Sequence, residues 1–156
     1  MPHLTTYLGM ALRAEHTLAA SLGVVALGHA EQADVHHTCR LLAGMSEAHT
    51  QALAPIVHRY LSRDEDDIVE PDRLHAPGLT RARGGQIGLL RDLQDLHVLG
   101  TLVQTTWTVL MQGAQGLRDR ELLAVATRSN SDTSRQLSWF NTRMKAAAAQ
   151  ALLVAG

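Results

Sequence analysis

Apolar residues recur along this chain with the period of an α-helix. From residue 4 to residue 29 one face reads Leu4, Leu8, Ala11, Glu15, Leu18, Leu22, Val25 and His29, spaced alternately by four and three. That is the inward seam of a bundle helix. A second seam, Val35, Thr38, Leu42, Met45, His49, Ala52, Ile56 and Tyr60, predicts a helix over 31–62. Pro55 lies inside it and removes the N–H that would bond the Gln51 carbonyl, so a kink or break is expected near 51–55. Leu89, Leu93, Leu96, Gly100, Val103, Trp107 and Leu110 predict a third helix over 81–113, with Gly113 and Gly116 marking the next turn. Leu122, Ala126, Ser129, Thr133, Leu137, Phe140 and Met144 predict a fourth over 117–148. Its middle, Arg128 to Asp132, reads as a polar patch on a continuous helix. No strand-period alternation interrupts the pattern. The expectation is an all-α four-helix bundle, one domain over residues 1–156.

The connection between helices 2 and 3 differs from the other two. Residues 63–80 carry Asp64, Glu65, Asp66 and Asp67, then Pro71 and Pro77-Gly78. Eighteen residues span up to ~60 Å when extended, and a 30-residue helix is ~45 Å long. The segment is therefore long enough to cross the full bundle. The acidic run lacks the central glycine and the ligand spacing of an EF-hand loop, so it reads as a solvated loop.

Composition narrows the function classes. Formal net charge is −1, which gives no field to attract nucleic acid or anionic lipid. No apolar run reaches the length of a membrane span, and the N-terminal residues lack the pattern of a signal peptide. Cys39 is the only cysteine, so an intramolecular disulfide is impossible. A cytoplasmic protein that binds neither nucleic acid nor membrane is expected. Aromatic residues make up 3%, so the core must be aliphatic and alanine-rich. The segment from Ala146 to Ala155 is almost wholly apolar, and its burial on the bundle or on another copy is expected. A homodimer or larger assembly follows as the partner expectation.

Two seam positions carry chemistry. Glu15 lies near the centre of helix 1 and His49 just past the centre of helix 2. Folding the hairpin near residue 30 brings them to similar heights on facing surfaces. Buried ionisable groups are costly unless they are paired or bound to a metal. One reading is a polar pair, with or without Arg128, that sets helix register. The other is a metal site. His29, His36, His37 and Cys39 gather with Asp34 near the first hairpin and read chiefly as surface histidines beside a buried thiol.

Glu15, with Ser46-Glu47-Ala48-His49, resembles the ferritin-like superfamily. That family is a four-helix bundle with a long crossover between helices 2 and 3. It takes one Glu from each of two helices and a Glu-x-x-His motif from each of the other two. Glu15 matches the first-helix Glu, and His49 matches the second-helix histidine with Ser46 in place of the motif Glu. In helix 3 Leu96 and Gly100 stand where the family needs Glu. In helix 4 Ser129-Asn130-Ser131-Asp132 takes the place of the motif, with Asp132 the available carboxylate. The resemblance implies an eroded dinuclear centre in a binding or assembly protein. A first alternative is an atypical iron or manganese oxidoreductase, or a protein holding another divalent metal, on Glu15, His49 and Asp132, with Asp95 or His97 as further ligands. A second is a bundle that holds an apolar ligand in a core thinned at Ala11, Ala52 and Gly100.

Overall fold

The computed structural model describes residues 2–61 and 76–154. It contains four long helices: α1 (Pro2–Gly28), α2 (Ala33–Leu61), α3 (Gly85–Leu117) and α4 (Arg120–Ala149). A π-helical turn, Gln150–Val154, extends α4. Among the described residues there is no strand, and no helix is long and apolar enough to cross a membrane. The acidic run 64–67 lies outside the described residues.

The seams read from the sequence are the buried faces. Leu8, Ala11, Glu15, Leu18, Leu22 and Val25 of α1 are all buried, as is every α3 seam residue from Leu89 to Leu110. Their apolar side chains join residues from α2 and α4 in one hydrophobic cluster. On the α2 seam Ala52 departs: it is exposed, and Leu53 is buried instead. Pro55 does not break α2, which runs unbroken to Leu61. Both Pro55 and Gln51 are exposed, so the carbonyl deprived of its donor is on the side open to water.

Cross-helix bonds fix the wiring. His36 Nδ1 donates to the Ala26 carbonyl at 2.8 Å, so α1 and α2 form an antiparallel hairpin. Gln104 Nε2 donates to Ser134 Oγ at 3.1 Å, and α3 and α4 form a second hairpin. His29 meets Asp92 at one end of the α1–α3 pair, and Trp107 faces Glu15 further along, so these helices are antiparallel. Arg143 meets Asp34 and Arg59 meets Asp119, which makes α2 and α4 antiparallel as well. The α1/α4 and α2/α3 pairs lie across the diagonals. With these directions α2 ends at one end of the bundle and α3 begins at the other. The connection between them therefore joins opposite ends of the bundle, a distance its length allows.

The described end of that connection, residues 76–84, is laid against α1. The Leu79 N–H donates to Ser21 Oγ at 3.0 Å. A Cβ at Gly78 would lie 2.8 Å from Ser21 Oγ and from Thr17 Cγ2. A Cβ at Gly28 would lie 2.1 Å from that of Ala82. Glycine at both positions lets the strap pass at backbone distance.

Helix boundaries in the second half differ from the sequence expectation. Residues 81–84 are not helical, and α3 starts at Gly85. Gly113 and Gly116 lie within α3, which continues to Leu117. It stops where Arg118 takes a left-handed conformation, φ 56°, and closes the helix with its N–H on the Ala114 and Gln115 carbonyls. Asp119 then caps α4, its side chain accepting from the Leu122 N–H at 3.0 Å. The polar stretch Arg128 to Asp132 stays helical throughout. Ala147 and Ala151 of the apolar terminal segment are buried, but Leu152, Leu153 and Val154 are 65%, 83% and 69% exposed.

Candidate functional site: a buried histidine between two carboxylates

The antiparallel pairings bring Glu15 of α1, His49 of α2, Trp107 of α3 and Asp132 of α4 to one level of the bundle. His49 is 3% exposed and Glu15 1%. His49 Nδ1 donates to Glu15 Oε2 in a short hydrogen bond. His49 Nε2 donates to Asp132 Oδ2 at 2.8 Å. A carboxylate only accepts, so both bonds are made together only when the ring carries both protons. The ring is then an imidazolium held between two carboxylates. Burial pushes the imidazole toward its neutral form. The hydrogen bond and charge of Glu15, followed by those of Asp132, outweigh that and raise its pKa above the ordinary 6.5.

At this level α3 contributes an aromatic wall. Trp107 is fully buried, stands edge-on to His49 with ring centres 6.4 Å apart, and directs Nε1–H at Glu15 Oε2 over 3.4 Å. Glu15 Oε1 is buried with no hydrogen-bond partner. One level away, Gln136 Nε2 donates to Ser46 Oγ and to the Leu42 carbonyl, both at 3.0 Å. Ser46 therefore helps to tie α2 to α4, at the position where the family motif has Glu. Gly100 leaves no void: a Cβ there would lie 2.8 Å from Leu137 Cδ2 and 3.4 Å from Phe140.

The three candidate ligands Glu15, His49 and Asp132 are thus brought together, through hydrogen bonds among themselves. Asp95 and His97 are not part of the group. Asp95 pairs with Arg83 at 2.7 Å, and His97 Nδ1 lies 3.5 Å from Thr101 Oγ1 on its own helix. Arg128 is exposed and has no role in the pair. Among the described residues, no set of three or more His, Cys, Asp and Glu side chains is arranged to hold a metal ion.

The cluster near the first hairpin is dispersed. His29 Nε2 meets Asp92 Oδ2 at 2.8 Å, His36 bonds a backbone carbonyl, and Asp34 takes Arg143. Cys39 is fully buried, and its thiol pKa is pushed up to about 12 by that burial and then by Asp34, against the lowering effect of Arg143. It is an inert core residue rather than a metal-binding thiolate.

Two residues that bear on the site were not anticipated. Trp107 was legible as core but not as the neighbour of Glu15. Asp92, off the predicted α3 seam, is fully buried and accepts from His29, from the Arg83 N–H at 3.0 Å and from Arg83 Nη1 at 2.9 Å. Arg83, just ahead of α3, was the available signal for that second pair.

α2 and α4 are the least closely packed neighbouring helices, and a groove of about 820 Å³ opens between them. His49, Ser129 and Asp132 form its polar floor. Comparison with protein-family models, curated proteins and solved structures finds no match for this chain.

Proposed function

We propose that this chain is a ferritin-like bundle whose metal centre has been replaced by an internal ion group, and that it acts as a binding and assembly protein. The observation that carries the reading is the engagement of His49. Both ring nitrogens are taken by carboxylates, and α3 contributes Trp107 where a dinuclear site needs a carboxylate. An imidazolium is not a metal ligand, because a metal needs the lone pair that the second proton occupies. Antiparallel neighbours and a full-length crossover support the family assignment. The exposed Leu152, Leu153 and Val154 support association with further copies of the chain.

Metal analysis tests this reading. Purified protein incubated anaerobically with ferrous or manganous ion, then desalted, is expected to retain less than stoichiometric metal. Two metal ions per chain would overturn it.

One observation favours a second reading, an atypical single-metal site on Glu15, His49 and Asp132. Glu15 Oε1 is buried without a partner and could coordinate a cation if His49 lost a proton. That reading predicts metal uptake that rises with pH and disappears in both Glu15→Ala and His49→Ala.

A further inference from the structure

The α2–α4 groove combines an apolar wall with exposed arginine side chains. Leu41, Met45, Ala48 and Ala52 line the α2 side. From Leu41 to Ala52 they extend ~16 Å along the helix. On the α4 side stand Arg128 and Arg135, both exposed. Among the described residues neither guanidinium has an ion-pair partner. Asp132 lies one turn from each along α4, yet it is turned inward, its Oδ2 bound to His49 Nε2. Bound to His49 at the groove floor, Asp132 does not pair with either arginine. A cleft of about 820 Å³ falls within the ~300–1,000 Å³ of small-molecule sites.

We propose that this groove binds an apolar carboxylate, an acyl chain lying along Leu41, Met45, Ala48 and Ala52 with its head group on Arg128 and Arg135. The proposal rests on the reading of the protein as a metal-free binding bundle, since it needs Asp132 held by His49. Arginine presents a planar fork that matches a carboxylate, and a half-open groove suits an amphiphile with one polar end. Ala48, whose side chain faces the groove from an exposed position, leaves room for the chain.

Dodecanoate titrated into the full chain, below its micelle concentration and followed by calorimetry, tests the proposal. Saturable binding near one per chain is expected. Dodecanol, which lacks the charge, should bind at least about tenfold more weakly, and the Arg128→Gln/Arg135→Gln variant should lose a similar factor for dodecanoate. Ala48→Leu fills the groove from a solvent-facing helix position and should abolish binding with helicity unchanged. No saturable binding, equal binding of the alcohol, or undiminished binding in Ala48→Leu overturns the proposal. So does self-association that Ala48→Leu disperses while dodecanoate fails to bind, which would assign the groove to a second copy. Failure in protein free of metal removes this inference alone. Two metal ions per chain would remove the metal-free reading beneath it.

Discussion

Among its described residues the bundle holds two buried histidine–carboxylate groups, and they are built in opposite ways. At the centre one histidine, His49, is shared by two acids, Glu15 and Asp132. At the end where the crossover arrives one acid, Asp92, is shared by two bases, His29 and Arg83. With His49 protonated and both acids ionised, the central group carries a net negative charge, and of its members His49 and Asp132 line the groove while Glu15 does not. The end group has Arg83 at its edge, 44% exposed, so part of its charge is hydrated. The contrast separates two jobs. The end group fastens the crossover strap to α1 and α3. The central group links α1, α2 and α4 at one level, so it fixes their relative register.

The largest effect is expected from removing the shared residue at the centre. His49→Leu leaves Glu15 and Asp132 facing each other without a cation and should destabilise the fold by about 3–5 kcal/mol, read from urea unfolding. At the end group Asp92→Asn keeps one acceptor, and Arg83 returns to water, so the loss should be about 1–3 kcal/mol. A loss for Asp92→Asn larger than that for His49→Leu would reverse the ranking.

A second shared acid lies near the surface. Asp119 accepts from Tyr60 Oη, from Arg59 at 3.0 Å and from the Leu122 N–H. Burial works against its charge. The bonds from Tyr60, Leu122 and Arg59 together with the Arg59 charge prevail, and they hold its pKa below the ordinary 3.8. Asp119→Ala should cost about 1 kcal/mol, mostly the loss of the α4 cap. The stability supplied by Asp119 is present above about pH 4 and is lost as pH falls through its lowered folded-state value.

The smallest and most selective effect is on pH dependence. The folded-state pKa of His49 is raised, so its ion group contributes fully below about pH 6.5 and loses that contribution as pH rises through the folded value. The stability gap between the wild type and His49→Leu should narrow on going from pH 6 toward alkaline pH. A gap that widens over this range would mean that His49 is neutral in the native state.

Much of this architecture was legible because helix period and burial coincide. Leu8, Leu18, Leu22, Leu93 and Leu110 lie where their spacing put them, and the polar exceptions Glu15 and His49 stood out against that seam. The crossover was legible as a length. What was not legible was height along the second hairpin. Gly113 and Gly116 read as a turn, but a helix tolerates glycine at a cost of ~1 kcal/mol each. The stop is set instead by the left-handed Arg118 and the Asp119 cap. α3 therefore starts and ends four residues later than expected, and its centre moves from His97 to Thr101. The level at which α3 meets α1 is set where His29 pairs with Asp92, and in that antiparallel register Trp107, rather than Leu96 or Gly100, lies opposite Glu15. Asp92 escaped because it faces not the seam but Arg83 and the end of α1. That arrangement depends on how the strap folds back.

Double protonation of His49 between its two carboxylates is read directly by nitrogen NMR of the ring. In ¹⁵N-histidine-labelled protein at neutral pH, both His49 nitrogens, assigned by their loss in His49→Leu, should show the shifts and attached protons of an imidazolium. One unprotonated ring nitrogen, or a nitrogen shifted by a bound metal, would show that His49 is not an imidazolium between Glu15 and Asp132.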